Sequence, residues 1–271
     1  MAIFVKDFGK YTPPAWAKIL LKILHSCPKS GVGRKLILLL RKPLCIFLST
    51  IDTSVGQIRL RVHLKDNISE RKFLTMPQFF DSEELELIST YFEFHNQDPV
   101  FVDIGANVGI YSLWAALSME GKGIILAIEP NPSTYERLMY NCALNDFSGN
   151  IKGCNVALSD HEGFETLYVG QNNLGEASCV HKTASPLKVK ALRLSTLLSN
   201  HKIKKVDILK IDVEGAEPTI LRDFFDHAAK ALYPKILIVE NSISSDFSEY
   251  LKKQGYTLSA RTKMNFIFRW D

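Results

Sequence analysis

The sequence predicts an α/β protein with a doubly wound, mostly parallel sheet, an N-terminal helical and β extension, and a β-hairpin insertion. Three observations predict it. The run FVDIGANVGIYS, Phe101 to Ser112, passes from β-branched and aromatic residues through Asp-x-Gly-x-x-x-Gly into a helical pattern, so it reads as strand, tight loop, helix. Behind it, apolar runs of strand length alternate with helical patterns, the signature of repeated βα units. Between Asp160 and Leu194 that rhythm gives way to two strand-like segments around a turn-rich stretch.

Composition sets the frame. Of 271 residues 46% are hydrophobic and 23% charged, enough apolar material for one large core with a soluble surface. The division expected is a basic extension over residues 1–65 and a main domain over 66–271. Five cysteines, an odd number without a CxxC pair, argue against a disulfide framework or a zinc site and point to a reducing cytoplasm. The net charge of +4 is uneven: residues 1–50 carry nine Lys and Arg against Asp7 alone, +8, which leaves −4 for the remainder. The most apolar region, Leu36 to Ile51, is broken by Arg41-Lys42-Pro43 and falls short of the ~18 uninterrupted residues of a membrane span.

In chain order, Pro13-Pro14 opens an amphipathic helix with Trp16, Ile19, Leu20, Ile23 and Leu24 on one stripe and Lys18, Lys22 and His25 off it. The stripe is expected to pack on the main body. The alternative is that residues 14–42 dock on an anionic membrane at its inner face. A second helix is expected from Gly33 to Lys42, stopping before Pro43. Ile58, Leu60, Val62 and Leu64 alternate with polar residues, a half-buried strand, and Asp81 with Glu84 reads as a capping-box start for a helix. After the corner come a helix over 109–119, a strand over 124–128, a helix over 133–145 and a strand over 151–157. The insertion pairs Phe164–Val169 with Leu187–Leu194 around residues 170–175. Strands at 206–211 and 235–240, helices from 216 and over 245–254, and strands at 256–260 and 264–270 complete the sheet, the last two as an antiparallel pair.

The corner at Gly105 and Gly109 has chemistry of its own. A dinucleotide fingerprint needs G-x-G-x-x-G, and this loop has only two glycines, so NAD is disfavoured. Asp103 at the strand end would repel a pyrophosphate and suits the ammonium of an amino acid. Glu129, at the end of the next strand, is spaced to accept both hydroxyls of a ribose. An amino-acid end plus a ribose means S-adenosylmethionine (SAM).

Taken together, FVDIGANVGIYS, IEPNP from Ile128, NVALSD from Asn155 and LKIDVEGAE from Leu209 resemble the FkbM-type family of SAM-dependent methyltransferases, within the class I Rossmann-like fold. The resemblance covers residues 66–271 and implies a seven-stranded sheet with an antiparallel last strand. It implies that Asp103, Gly105, Asn107 and Gly109 line the methionine end of SAM, Glu129 the ribose, and Leu158, Ser159 and Asp160 the adenine edge, with Asp212 near the sulfonium. Where such proteins often have Glu-x-His after the fifth strand, this chain has Glu240-Asn241-Ser242, so no histidine is available there.

Methyl transfer is an in-line displacement that needs an acceptor brought close and deprotonated. Asp212, Glu214, Glu217 and Glu240 are the acids in reach, and the resemblance implies O-methylation of a glycan, sugar or natural-product hydroxyl. Two rivals stand beside it: an RNA methyltransferase using the basic N-terminus, disfavoured because no aromatic residues interleave the basic run as stacking platforms, and a non-catalytic SAM-binding module. A further alternative is a Mg²⁺ held by Asp212, Glu240 and Asn241, as catechol-type O-methyltransferases hold theirs. A metal-free carboxylate base is favoured over it.

Overall fold

The structure is a computed structural model and describes residues 7–95, 97–169, 177–178, 185–241 and 243–270. The N-terminal helices are α1 (Ala15–His25), α2 (Gly31–Leu40) and α3 (Lys42–Phe47). As expected, α2 ends before Pro43, and Pro43 itself occupies the first turn of the further helix α3, where a missing N–H costs nothing. A hairpin, β1 (Thr50–Val55) and β2 (Ile58–His63), follows, turning at Gly56 with φ 58°. As predicted, Ile58, Leu60, Val62 and Leu64 are all buried. Helix α4 (Ile68–Thr75), which the sequence reading lacked, begins at Asn67, whose side chain accepts from the Glu70 backbone N–H.

Helix α5 (Ser82–Phe94) starts at Asp81, but no capping box forms there. Asp81 stands in the left-handed region at φ 36° and turns its carboxylate to Lys72 and Tyr111, and Glu84 accepts from Thr262 and Asn265. Tertiary partners have taken both members of the local motif.

The main sheet is built from β3 (Val100–Ile104), α6 (Ile110–Ser118), β4 (Ile124–Ile128), α7 (Pro132–Ala143) and β5 (Ile151–Cys154). The insertion contributes β6 (Ala157–Leu158), β7 (Gly163–Val169), β8 (Ala177–Ser178) and β9 (Ser185–Leu192). The chain closes with α8 (Leu194–Asn200), β10 (Ile208–Ile211), α9 (Glu217–His227), β11 (Ile236–Glu240), α10 (Ser245–Lys253), β12 (Tyr256–Arg261) and β13 (Asn265–Trp270). Seven strands lie in the order β12-β13-β11-β10-β3-β4-β5, parallel except that β13 runs antiparallel to both neighbours. All five residues of β3 are buried, as a central strand covered on both faces requires.

In the insertion β7 pairs antiparallel with β9 as expected, and β6 and β8 extend the pair to a four-stranded sheet, β6-β9-β7-β8; the predicted turn at residues 170–175 lies outside the described residues. One face of the main sheet shares a continuous apolar core with α1 to α6, including Ala17, Leu24, Ile37 and Phe73 beside Phe101 and Ile208. On the other face Val102, Leu126 and Leu209 pack with α8, α9 and α10. The chain reverses its direction of winding between β3 and β10, and at such a switch point the carboxyl ends of the strands open a crevice.

Candidate active site

That crevice holds a cavity of about 280 Å³. Gly105, Asn107, Glu129, Leu158, Asp212, Glu214 and Glu240 all line it, so seven residues singled out in the sequence are brought together. The loop from β3 to α6 turns with φ 74° at Gly105, 52° at Asn107 and 87° at Gly109. Its shape is fixed from β4: the Gly105 and Ala106 N–H groups donate to the Ile128 carbonyl at 3.0 and 2.9 Å. Glu129 takes the Asn107 N–H on one carboxylate oxygen and the Asn131 N–H on the other, each at 2.9 Å. Each oxygen keeps a further lone pair for a ligand. Burial pushes the Glu129 carboxyl up to about 7, against the pull of the two backbone donors.

Asp103 does not line the cavity. It is fully buried, accepts from Ser112 Oγ at 2.6 Å, and leaves Oδ1 without a hydrogen-bond partner, 3.9 Å from Lys210 Nζ. Burial drives its carboxyl upward even with the ammonium alongside. Gly109 lies at the N-terminus of α6 outside the cavity lining, as do Ser159 and Asp160. Ser159 donates to Glu165 at 3.0 Å, and Asp160 is held 3.0 Å from the His161 ring. The apolar edge beside Leu158 is instead made by Val156, Ala157 and Leu167.

Lys210 escaped the sequence reading. It lies 3% exposed in β10, among Ile208, Leu209 and Ile211, which are wholly buried, and a lysine inside such a strand was the available signal. Its ammonium stands 3.4 Å from Asp212 Oδ2 and 4.8 Å from the centre of the Tyr111 ring. Burial pulls its pKa down, but Asp212 and Asp103 more than offset this and the net direction is upward. Asp212 itself keeps a side chain 41% exposed at the strand end. Tyr111, Lys72 and Asp81 were also missed. Tyr111 donates to Asp81 at 3.1 Å and Lys72 donates to the other Asp81 oxygen at 2.7 Å, and all three line the cavity.

Glu217 lies outside the lining. Its carboxylate accepts from the Val213 and Gly215 N–H groups at 2.8 and 3.0 Å and so shapes the loop after β10. Of the oxygen set suggested for Mg²⁺, Asp212 and Glu240 line the cavity and Asn241 does not. Asn241 donates through its side chain to the Lys263 carbonyl at 2.6 Å, outside the cavity lining, and the Lys210 ammonium already faces Asp212. No three His, Cys, Asp or Glu side chains among the described residues are placed to hold an ion.

A parallel sheet of this order with one antiparallel strand, opening at its switch point onto strand-end acids, is the class I SAM-dependent methyltransferase fold. The methyltransferase FkbM domain model matches residues 103–258, and the chain belongs to that family. Among its relatives, methyltransferase sdnD of Sordaria araneosa is 30% identical over 46% of this chain and 60% of its own length. Hexuronic acid methyltransferase AglP of Haloferax volcanii is 28% identical over 51% of this chain and 55% of its own. The chain thus spans somewhat over half the length of these relatives. A solved FkbM methyltransferase from Methylobacillus flagellatus overlays with a TM-score of 0.43 at 17% identity, covering 76% of this chain and 55% of that one.

Proposed function

We propose that the chain is a SAM-dependent O-methyltransferase acting on a sugar or natural-product hydroxyl, with Asp212 as the base. One observation carries the reading: a single cavity is lined by Glu129, by the half-exposed Asp212 carboxylate, and by Asp81 and Lys72. The donor set fits SAM. Glu129 offers two carboxylate oxygens to a ribose diol, Leu158, Val156 and Leu167 offer an apolar slot to an adenine, and the acids suit a cation. SAM supplies a methyl group activated by the sulfonium. The chain supplies the rest. The end of the cavity at Lys72, Asp81 and Tyr111 orients the acceptor, and Asp212 accepts the proton of the hydroxyl as the C–O bond forms. Lys210, held from beneath, fixes the direction of the Asp212 carboxylate. The name of the Haloferax relative supports a sugar acceptor.

The test is transfer of labelled methyl from SAM into a panel of glycosides, uronic acids and polyketide alcohols, with wild type and Asp212→Asn. Label in a hydroxyl ether, lost in the variant while SAM still binds, is the expected result. Label in an ester, an amine or RNA, or none with any acceptor, overturns the reading.

A further inference from the structure

Sixteen large apolar side chains are exposed among the described residues, and nine of them fall between Trp16 and Phe47. On α1, Ala17, Leu21 and Leu24 are buried, but Trp16, Ile19 and Ile23 are 42, 60 and 49% exposed. These three are spaced i, i+3, i+7 and form a stripe beside the buried one. Of the predicted apolar stripe of this helix, Trp16, Ile19 and Ile23 are therefore uncovered, and only Leu20 and Leu24 pack on the core. Helix α2 repeats the arrangement, with Ile37 buried and Val32, Leu36 and Leu39 exposed by 78, 43 and 59%. The rings of Trp16 and Phe47 meet edge to face at 6.4 Å, so the uncovered sides of α1 and α3 are continuous.

Charge says what covers this face. From residue 8 to residue 51 the chain has no Asp or Glu, while Lys18, Lys22, Lys29, Arg34, Lys35 and Lys42 are exposed in the same stretch. A second copy laid symmetrically on the face would set these cations against their own equivalents. An anionic bilayer instead takes the apolar stripes and tryptophan into its interface and the ammonium groups at its phosphates. We propose that α1, α2 and α3 form a docking face for an anionic phospholipid membrane. No helix among the described residues is long and apolar enough to cross one, so the association is peripheral. Arg34 of α2 also lines a second cavity of about 330 Å³, which shares Lys72, Asp81 and Met264 with the main one. A docked chain holds the acceptor end of its site beside the lipid surface.

Vesicle flotation of the full chain tests this, comparing phosphatidylcholine alone with phosphatidylcholine containing phosphatidylglycerol. Binding to the anionic vesicles only is expected, weakened about tenfold or more by Lys18→Glu with Lys22→Glu, and equally by Ile19→Asp with Ile23→Asp. Leu36→Asp with Leu39→Asp, on the other helix, repeats the test if either pair unfolds, and an unchanged melting temperature certifies each variant. Three results overturn the proposal: no vesicle binding, binding indifferent to lipid charge or to these substitutions, or an aspartate pair that converts a dimer to monomer and leaves vesicle binding intact. Capture of an RNA oligonucleotide in preference to the vesicles also overturns it.

Discussion

Gly105 and Asp212 meet through their backbones, so closely that a β-carbon at Gly105 would lie 1.9 Å from the Asp212 carbonyl oxygen. The loop after one strand end and the backbone at the end of the neighbouring strand are thus packed directly on each other, at a residue with φ 74°. Gly105→Ala adds a left-handed strain of about 1–2 kcal/mol to a clash with backbone. It is expected to lower the melting temperature and reduce SAM affinity at least about tenfold, as calorimetric titration would show.

Glu129→Ala removes a charged acceptor worth about 1.5–3 kcal/mol, so SAM should bind about tenfold more weakly or worse. Calorimetry with unchanged affinity would sink the ribose assignment.

The same residue predicts a pH dependence. Its carboxyl is raised from the ordinary glutamate value of 4.5 to about 7 by burial, so between these values the folded chain holds a proton that the unfolded chain has lost. Stability should therefore fall as pH rises from about 4.5 to about 7. Glu129→Gln, which cannot ionise, should flatten that part of the melting profile.

Asp212→Asn keeps the shape of the strand end and removes the proton acceptor. Turnover should drop about 10²- to 10⁴-fold with SAM affinity nearly unchanged. Exhaustive EDTA treatment should leave the wild-type rate intact. A loss restored by Mg²⁺ would return Asp212, Glu240 and Asn241 to consideration as ligands.

Lys210→Met leaves the Asp103 carboxylate buried without its cation. A loss of about 3–5 kcal/mol in denaturant unfolding is expected, part of it recovered when Asp103→Asn is added. A neutral single variant would show that the pair contributes nothing.

The strand ends could be read in advance because each motif lies within one stretch of chain. Asp103 to Gly109, Glu129 and Asp212 follow apolar runs whose period and length announce a parallel sheet. What could not be read depends on residues far apart in sequence. Asp81 looks like a helix cap until Lys72 and Tyr111 claim it, and Glu84 is drawn off by Thr262 and Asn265. Asp103 was expected to line the methionine end, and its side chain is instead fully buried, held by Ser112 and outside the cavity lining. The split face of α1 was equally hidden, since Leu24 and Ile23 carry the same apolar signal and only packing separates them.

The Lys210–Asp103 pair bears finally on how the sheet assembles. Strands β3 and β10 are joined at one end by the Val100 N–H donating to Asp207 at 2.8 Å, across 107 positions of chain, a non-local pairing that must meet the entropy of closing a long loop. In the native register Lys210 lies opposite Asp103. A slip by one residue would turn the ammonium to the other face, into the apolar layer of Val102, Leu126 and Phe224, and strand the aspartate on its own. Two buried opposite charges at the centre of the sheet therefore favour the native register of β3 and β10 over one shifted by a residue.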